Sequence, residues 1–380
     1  MTAAVIVAGA RSPIGTAGHS LSGLSVERLA GPVLAAVVER SGVRAGGPTG
    51  DVGDVVLGNC MGPGGDVARS AALTAGLPPD VPALTVDRQC ASGLAAIDVA
   101  ARLVTAGAPA VLAGGVESAS TAPWRYWPPV DGADPVRYER APFAPVEHGD
   151  PDMGVANDLL AEEAGVSRER QDAYAATSHA RAVAARDAGR FDDEIVPLGD
   201  VVRDDRPRTS LTAERLARLR PAFRDGGTVT AGNSCGISDG AAAVAVVDPA
   251  LQPRLGLPGL RILATATTGV RPDRPGRGLV PATRLALQRA DLGLEDLDAV
   301  EINEAFAGQV LACCDELGLD PRRVCADGGA LALGHPWGAS GAVLVVRLLH
   351  RLVGHGSGRY GLAAIAAGGG QGVAMVVGAC

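Results

Sequence analysis

Three residues of this 380-residue sequence have side chains and neighbours suited to nucleophilic chemistry. The first is Cys90, in "TVDRQCASGLAAIDVAARL", where a strand-like run passes through a turn into a predicted helix. A thiol at a helix start faces the positive end of the helix dipole, which favours the thiolate. The small residues that follow leave room for a ligand and leave backbone N–H groups free as an oxyanion hole. We therefore predict that Cys90 is a nucleophile, with a buried structural cysteine as the alternative.

The other two residues are a histidine and an asparagine near predicted helix starts. His335 stands between Gly and Pro in "GGALALGHPWGASGA", a turn that can direct its ring into a site. Asn303 follows a predicted strand in "EINEAFAGQV". Each has a structural alternative, since His335 could stabilise its turn and Asn303 could be a helix N-cap. The residue types alone leave both alternatives open.

A glycine-rich segment near the end of the chain lacks any side chain for catalysis. Residues 361–375 read "GLAAIAAGGGQGVAM", a buried strand that runs into a glycine turn. Such a turn can offer backbone N–H groups to a ligand. The segment therefore indicates a site built from backbone, or one that has lost a working side chain.

The composition limits the class of protein. Hydrophobic residues make up 47% of the chain, aromatic residues 3%, and there are 52 glycines, which suits a packed core of small aliphatic residues with many tight turns. The net charge of −8 argues against nucleic acid as a partner. No apolar run reaches the roughly 18–20 residues of a membrane helix, and the first residues do not resemble a secretory signal. We expect no membrane insertion.

The cysteines indicate neither a disulfide framework nor a metal site. Their number is odd, and no CxxC pair or Cys/His cluster has metal-ligand spacing. We expect no bound metal and a reducing, cytoplasmic location. The cysteines are at positions 60, 90, 235, 313, 314, 325 and 380.

The order of apolar runs predicts an α/β protein with an insertion. Short β-type runs alternate with helical patterns up to residue 118 and again from residue 242, whereas 119–241 is more charged and holds "TAPWRYWPPV". We therefore predict two α/β halves, 1–118 and 242–380, and an inserted region, 119–241. The candidate strands are 3–8, 54–58, 82–87, 109–115, 242–247, 260–266, 298–302, 324–327, 361–367 and 372–377.

The two halves also resemble each other. Residues 53–62 parallel 297–306, which places Asn59 opposite Asn303, and residues 89–104 parallel 337–352. Residues 110–118 parallel 364–372. Three matches in the same order predict a duplicated half. A duplicated fold brings equivalent helix starts together near a pseudo-twofold axis, where a site can form.

Several motifs together resemble the thiolase family of acyl-CoA C-acyltransferases. They are "RQCASGLAA", "DPDMGVANDLL", "GNSCGISDGAAA", "NEAFA", "GGALALGHPWGASGA" and "GGGQG", and they span the chain in the family's order. The resemblance implies a five-layered αβαβα fold of two similar halves with an inserted loop domain. It also implies acyl-CoA and coenzyme A as substrates, no tightly bound cofactor, and a homodimer or homotetramer. The inserted domain would then bind coenzyme A and make oligomer contacts.

The resemblance assigns a role to each candidate residue. Cys90 matches the nucleophile that accepts the acyl group, and His335 matches the base that activates it. Asn303 matches the residue that positions a water, which forms the first oxyanion hole with His335. The backbone N–H groups of Cys90 and Gly368 match the second oxyanion hole. Positions that match the acyl and pantetheine tunnel or the coenzyme A site are Met153, Phe223, Ala231, Gly232, Cys235 and Ala305, with Arg208 as a loose match to an adenine-stacking arginine.

One position departs from the family pattern. Counting back from Gly368, the second catalytic cysteine of the family falls on Ala366. Loss of a positioned general acid or base costs about 10²–10⁴ in rate, which is about 2.7–5.4 kcal/mol of barrier. We expect acyl transfer onto Cys90 to survive and carbon–carbon bond chemistry to be slowed. Cys235, where the family generally has Ser, and Asp152, which precedes Met153, are candidate substitutes for the missing base.

Three functions remain open at this point. The first is a thiolase-type acyltransferase with an S-acyl-Cys90 intermediate. The second is a repurposed thiolase that hydrolyses the acyl-enzyme or transfers the acyl group to an oxygen, nitrogen or sulfur acceptor. The third is a non-catalytic subunit that binds acyl-CoA or scaffolds a partner, which does not need the Cys90, His335 and Asn303 set.

Overall fold

The structure is a computed structural model that describes residues 4–47 and 50–380 of the chain. The strands are β1 (Val5–Arg11), β2 (Gly15–Thr16), β3 (Val52–Gly58), β4 (Ala83–Val86), β5 (Ala110–Ser118), β6 (Arg125–Trp127), β7 (Val136–Tyr138), β8 (Ser238–Val247), β9 (Leu260–Gly269), β10 (Ala299–Ile302), β11 (Tyr360–Ala367) and β12 (Gln371–Ala379). The α-helices are α1 (Val26–Ser41), α2 (Val67–Thr74), α3 (Ser92–Thr105), α4 (Met153–Glu163), α5 (Arg168–Asp187), α6 (Ala213–Leu216), α7 (Gln252–Leu255), α8 (Leu279–Ala290), α9 (Ala307–Leu317), α10 (Ala330–Leu333) and α11 (Trp337–Leu349).

The strands form two halves of the same topology. In the first half β4, β3 and β5 are parallel neighbours, and β8 and β1 continue the sheet in antiparallel orientation. In the second half β10 and β11 are parallel, and β12 and β9 follow in antiparallel orientation. The halves meet where β1 pairs with β9 over two residue pairs. The predicted duplication is therefore present in the fold.

Helices cover both faces of each half and give five layers. Helices α3 and α11 pack on each other, and both contact strands of the two halves, so they form the central layer. Helices α1 and α2 pack together on the outer face of the first half, and α8 packs on β9 and β12. Nearly every residue of α11 is buried, as expected for a helix between two sheets. This arrangement is the predicted αβαβα architecture.

The two central helices approach closely because glycines face each other at their N-terminal turns. A Cβ atom on Gly93 of α3 would lie 2.7 Å from the carbonyl oxygen of Gly338 in α11. A Cβ atom on Gly341 of α11 would lie 2.5 Å from the backbone nitrogen of Leu94. Both distances are shorter than a real contact, so only glycine fits. The contact brings the two helix starts to one place in the molecule.

The inserted region is anchored to the first half by a buried arginine. The Arg11 side chain on β1 is fully buried, and its guanidinium contacts Glu194 at 2.8 Å and Asp204 at 2.7 Å. Burial alone would lower the pKa of Arg11, but Asp204 and Glu194 raise it above its ordinary value. Both carboxylates belong to the inserted region. The ion pairs therefore fix this region against the sheet.

Nine of the ten predicted strands are present with limits shifted by a few residues, although residue 3 lies outside the described residues. The prediction of a strand at 324–327 is wrong, since Val324 makes only a single β-bridge to Val300 before the backbone turns. The turn follows because Cys325 has a φ of 47°, which no strand residue adopts.

Two further expectations about the halves differ from the structure. Residues 242–247 were expected to open the second half, but they lie in β8, which pairs with β1 and β5 of the first half. The limits 1–118, 119–241 and 242–380 themselves remain a prediction. Gly58 pairs with Gly115 in the first half, and at the equivalent place in the second half Ile302 pairs with Ala364. Gly115 is therefore equivalent to Ala364, so the predicted match of 110–118 to 364–372 is displaced by five residues.

Candidate active site

Cys90 lies on a tight turn between β4 and α3. Gln89 has a φ of 50°, an uncommon left-handed conformation for a residue other than glycine. The Ser92 hydroxyl donates to the Gln89 carbonyl at 2.6 Å and accepts from the Arg88 N–H at 2.7 Å. The Gln89 N–H donates to Asp87 at 2.7 Å. These short-range bonds hold the turn, and with it the direction of the Cys90 side chain.

The acidity of Cys90 is set by burial and by two backbone N–H groups. Burial raises the pKa of Cys90 to about 12, and the N–H groups of Gly368 and of Cys90 itself lower it by a smaller amount. The thiol is therefore protonated at neutral pH in the free protein. Burial therefore opposes the thiolate that the helix start is predicted to favour, and that effect of the helix start stays a prediction.

His335 is a buried, neutral imidazole on the turn before α11. Gly334, which precedes it, has a φ of 115° and lies where a Cβ atom would collide with Ser238. The ring Nδ1 of His335 lies 2.6 Å from the hydroxyl oxygen of Ser340. Burial lowers the pKa of His335 to about 4. The ring is thus available as a proton acceptor.

Asn303 is paired with the histidine ring. Its side-chain nitrogen lies 3.4 Å from Nε2 of His335. Its backbone N–H donates to the carbonyl of Ala364 in β11 at 3.0 Å. Asn303 is not the N-cap of α9, because Phe306 occupies that position. The alternative interpretation as a helix cap is therefore excluded.

The glycine turn after β11 is shaped by an aromatic ring of the inserted region. A Cβ atom on Gly368 would lie 2.7 Å from the ring of Phe143. Gly369 and Gly370 have φ angles of 76° and 77°, which favour glycine. All three glycines of this turn are thus required by geometry. Phe143 was missed by the sequence analysis, because a single aromatic residue in a loop gives no signal of its contact.

Ala366 lies on β11 opposite Gly372 and is half-buried. Its side chain packs at the edge of the apolar cluster that contains Leu362 and Ala364 from the same face of the strand. A methyl group can neither donate nor accept a proton. At this position the chain therefore supplies no acid or base.

The predicted tunnel residues of the inserted region and the second half lie together. The ring of Phe223 stacks edge to face on the ring of Phe306, with centroids 6.1 Å apart, and Phe306 follows Ala305. The Phe223 ring also packs against Gly154, the residue after Met153, where a Cβ atom would collide with it. Phe223 is 41% exposed, so this apolar group borders solvent.

Cys235 lies close to this group and to Cys90. The Cys235 N–H donates to the carbonyl of Ala305 at 2.9 Å. Burial raises the pKa of Cys235 to about 12, the neighbouring Cys90 thiol also acts to raise it, and Arg206 lowers it. The guanidinium of Arg206 packs against Gly236, where a Cβ atom would collide with it. Arg206 was not predicted, since nothing in its sequence neighbourhood distinguishes it from the other arginines.

The remaining predicted tunnel residues have more exposed positions. Gly232 packs against Leu216, and the preceding Ala231 is exposed. Arg208 is also exposed. It lies near buried His179, whose pKa is lowered to about 4 by burial and, to a smaller extent, by Arg206 and Arg208.

Asp152 has a structural role in the first turn of α4. Its carboxylate accepts a hydrogen bond from the Gly154 N–H at 2.8 Å and is the N-cap of the helix. This contact stabilises the helix end. The role of Asp152 as a substitute base stays a prediction.

A buried carboxylate joins the two halves beside the site. Glu117 accepts hydrogen bonds from the backbone N–H groups of Cys60 at 3.1 Å and Gly338 at 3.0 Å. The Cys60 thiol donates to the carbonyl of Gln89 at 3.0 Å, next to the nucleophile. Glu117 and Cys60 were not predicted as parts of this region. Their long-range contacts leave no local pattern in the sequence.

Within residues 4–47 and 50–380, no three His, Cys, Asp or Glu side chains are grouped as metal ligands would be. In the same ranges, no helix has the length and hydropathy needed to cross a bilayer.

Comparison with known proteins places this fold and site in one class. The description "Thiolase, N-terminal domain" matches residues 4–250, and "Thiolase, C-terminal domain" matches residues 257–379. An acetyl-CoA acetyltransferase of Pseudomonas aeruginosa is 43% identical over 392 residues, covering 98% of each chain. A probable acetyl-CoA acetyltransferase of Escherichia coli is 43% identical over 391 residues, again covering 98% of each chain.

A solved structure shows the same fold. The crystal structure of the Bacillus anthracis acetyl-CoA acetyltransferase superimposes with a TM-score of 0.93 and 39% sequence identity, over 100% of this chain and 99% of the other. The chain belongs to the thiolase family. It is a thiolase-type acyltransferase.

Proposed function

We propose that this protein takes the acyl group of an acyl-CoA onto Cys90 and passes it to an acceptor, with no tightly bound cofactor. The observation that carries the proposal is the 3.4 Å contact between the Asn303 amide nitrogen and Nε2 of His335, and the backbone N–H groups of Cys90 and Gly368 lower the pKa of the Cys90 thiol. Two N–H groups beside a nucleophile can stabilise the oxyanion of a tetrahedral intermediate. The relatives named above act on acetyl-CoA by their names, which favours a short acyl group.

The first step needs one proton transfer. The Cys90 S–H gives its proton to Nε2 of His335 as the sulfur attacks the thioester carbonyl. The carbon–sulfur bond to coenzyme A then breaks, and the leaving thiolate takes the proton from His335. Because the free thiol and the free imidazole are both neutral at pH 7, the proton moves together with bond formation rather than before it.

The two oxyanion holes would serve different intermediates. Asn303 lies 3.4 Å from His335 Nε2, close enough for both to hold one water, to which the Asn303 amide donates and from which Nε2 accepts. The N–H groups of Cys90 and Gly368 would stabilise the intermediates of acyl transfer to and from the cysteine. Met153, Phe223, Ala231, Gly232, Cys235 and Ala305 would line the path of the acyl and pantetheine groups, and Arg208 would lie near the adenine.

Carbon–carbon bond formation would be the weak step. A Claisen condensation requires removal of a proton from the α-carbon of the second acyl-CoA, and the methyl group of Ala366 cannot do this. Transfer of the acyl group between coenzyme A and Cys90 needs no such proton. The half-reaction of acyl transfer would therefore be fast relative to condensation and thiolysis.

Intact-protein mass spectrometry tests the proposal. The protein is incubated with acetyl-CoA and with longer acyl-CoAs, and one acyl adduct per chain is expected. The adduct should be lost in Cys90→Ala and kept in Cys380→Ala, which removes an exposed thiol. No adduct from any acyl-CoA would refute the proposal and favour a protein that binds acyl-CoA without reacting.

A second candidate acceptor is water. The Asn303 and His335 pair could direct a water at the acyl-Cys90 carbonyl, so a thioesterase activity fits the same residues. The rate at which the isolated acyl-enzyme decays without coenzyme A distinguishes hydrolysis from transfer to another acceptor. Rapid decay supports hydrolysis, and an adduct that persists until coenzyme A is added supports transfer.

We also propose that the chain forms a homodimer or homotetramer. Strand β4 lies at the edge of the sheet and exposes 44% of Leu84, while Trp127 of β6 and Trp124, which precedes β6, are also exposed. Exposed aromatic residues and free strand edges are typical of interfaces. Light scattering on the purified protein should give two or four times the 38.2 kDa chain mass. A monomer at micromolar concentration would contradict this.

A further inference from the structure

A small cavity borders Asn303 of the candidate site and Ser340, the hydrogen-bond partner of His335. It measures about 20 Å³ and is lined by buried residues only, among them Asn303, Ser340, Glu301 and Arg347. A cavity needs roughly 10–15 Å³ to hold one water molecule. The polar residues in its wall offer the two to four hydrogen-bond partners that a buried water requires.

Two atoms at this cavity lack a partner. Glu301 Oε2 and Arg347 Nε are buried and make no hydrogen bond within residues 4–47 and 50–380. They lie 3.9 Å apart, which is too far for a direct hydrogen bond. A water about 2.8 Å from each atom would bridge them. Unpaired buried charged groups are costly, so this cavity is suited to a water and not to an apolar group.

The hydrogen bonds of His335 define which tautomer the site needs. The side-chain nitrogen of Asn303 only donates, so Nε2 of His335 accepts in that contact. The ring proton is then on Nδ1, which donates to the Ser340 hydroxyl oxygen at 2.6 Å. The Ser340 hydroxyl must then donate its own hydrogen bond to another acceptor. Among the described residues its hydroxyl has no other hydrogen-bond partner, and the carboxylate in the cavity wall is Glu301.

We propose that Glu301, through one water in this cavity and the Ser340 hydroxyl, holds His335 in the tautomer that leaves Nε2 free to accept a proton. Glu301 touches neither substrate nor Cys90 in this role and is a positioning residue. If these hydrogen bonds ran in the opposite direction, with Ser340 donating to Nδ1, the ring proton would lie on Nε2 and His335 could not act as the base. The inference rests on the proposed function only in that His335 is the base for Cys90.

The charges around Glu301 fit this role. Burial raises the pKa of Glu301 to about 7, and Arg347 and Arg351 lower it while Asp327 raises it. Arg347 also contacts Glu194 at 3.0 Å and Asp327 at 3.5 Å, so it keeps carboxylate partners when Glu301 is changed. An isosteric variant of Glu301 is therefore expected to fold.

Nitrogen-15 NMR of labelled histidine gives the tautomer directly, because a ring nitrogen with a proton and one without resonate far apart. The His335 signals are assigned by their loss in His335→Gln. We expect Nδ1 protonated and Nε2 unprotonated in the unaltered protein. In Glu301→Gln and in Ser340→Ala, the Nε2 signal should move toward the protonated position. Acylation of Cys90 should slow by about tenfold in Glu301→Gln, with the KM for acetyl-CoA within about twofold.

The matched control is Asp327→Asn, which removes another carboxylate beside Arg347 but does not line the cavity. It should leave the His335 signals and the acylation rate unchanged. An Nε2-protonated His335 in the unaltered protein, or unchanged His335 signals in both Glu301→Gln and Ser340→Ala, would overturn the inference. Failure of the proposed function looks different, since Cys90 would then take no acyl group while the ring signals still report the tautomer.

Discussion

The acidity of Cys90 depends on two opposing features of its surroundings. Backbone N–H groups of Cys90 and Gly368 stabilise the thiolate, whereas burial favours the neutral thiol and raises the pKa to about 12. The second effect is larger. Since His335 is also neutral, with a pKa lowered to about 4, the site rests as an uncharged pair. An uncharged nucleophile is protected from adventitious reaction until a thioester is bound.

Alkylation of Cys90 by iodoacetamide should reflect this raised pKa. Below its pKa the thiolate fraction increases tenfold per pH unit, so the rate should climb about tenfold per unit from about pH 7 to about pH 9. The extent of alkylation is read from the Cys90 peptide by mass spectrometry, which separates it from the other thiols. A rate that levels off below about pH 8 would indicate a thiolate–imidazolium pair instead.

Ala366→Cys should restore carbon–carbon chemistry if the missing proton relay limits it. We expect thiolysis of acetoacetyl-CoA to rise by about 10²–10⁴. The matched control is Ala366→Ser, which adds a group of similar size that is a far weaker acid. An equal rise in both variants, or none in either, would place the limitation elsewhere, with Cys235 as the next residue to change.

At the scale of elements, the site depends on how α3 and α11 cross. Cys90 precedes α3 and His335 precedes α11, and the glycine contacts between these helices bring the two helix starts together. This approach depends on tertiary packing. Gly93 lies against the backbone of Gly338, and Gly341 lies against the backbone of Leu94.

Gly93→Ala should therefore impair both stability and acylation. The added methyl group meets backbone atoms of α11, which cannot rotate away, so the helices must separate. We expect the free energy of unfolding to fall by about 1–3 kcal/mol, and acylation of Cys90 to slow by about tenfold or more. Gly23→Ala is the control, because a Cβ atom there has nothing within 4 Å. Denaturation curves and adduct formation measure the two effects, and equal behaviour of the two variants would contradict the expectation.

The elements differ in how well the sequence predicts them. Apolar runs such as β5 and β8, buried on both faces, were predicted because their composition is unambiguous. The strand at 324–327 was not, because an apolar start does not disclose the left-handed turn at Cys325. The central site residues were predicted from motifs. Phe143, Arg206 and Glu301 were not, since only long-range packing brings them to the site.

At the scale of the whole molecule, the inserted region is held by buried charges. Arg11 contacts Glu194 and Asp204, and Arg347 of the second half contacts the same Glu194 at 3.0 Å. One carboxylate thus joins β1, the inserted region and α11. Removing one member of such a buried network leaves an uncompensated charge.

Arg11→Met should lower the free energy of unfolding by about 3–5 kcal/mol, because Asp204 and Glu194 would lose a buried partner. The control is Arg322→Met, whose side chain is 86% exposed in its ion pair with the exposed Asp320. That change should cost less than about 1 kcal/mol. Urea unfolding of both variants gives the comparison. A loss in Arg11→Met as small as that of the control would show that the network does not hold the inserted region.

The measurement that tests the central claim most directly is isotope exchange between labelled coenzyme A and acetyl-CoA, since this exchange requires only acyl transfer to and from Cys90. We predict exchange in the unaltered protein, at a rate within about threefold of that in Ala366→Cys, and none in Cys90→Ala. Exchange that occurs only in Ala366→Cys, or that persists in Cys90→Ala, would contradict the account.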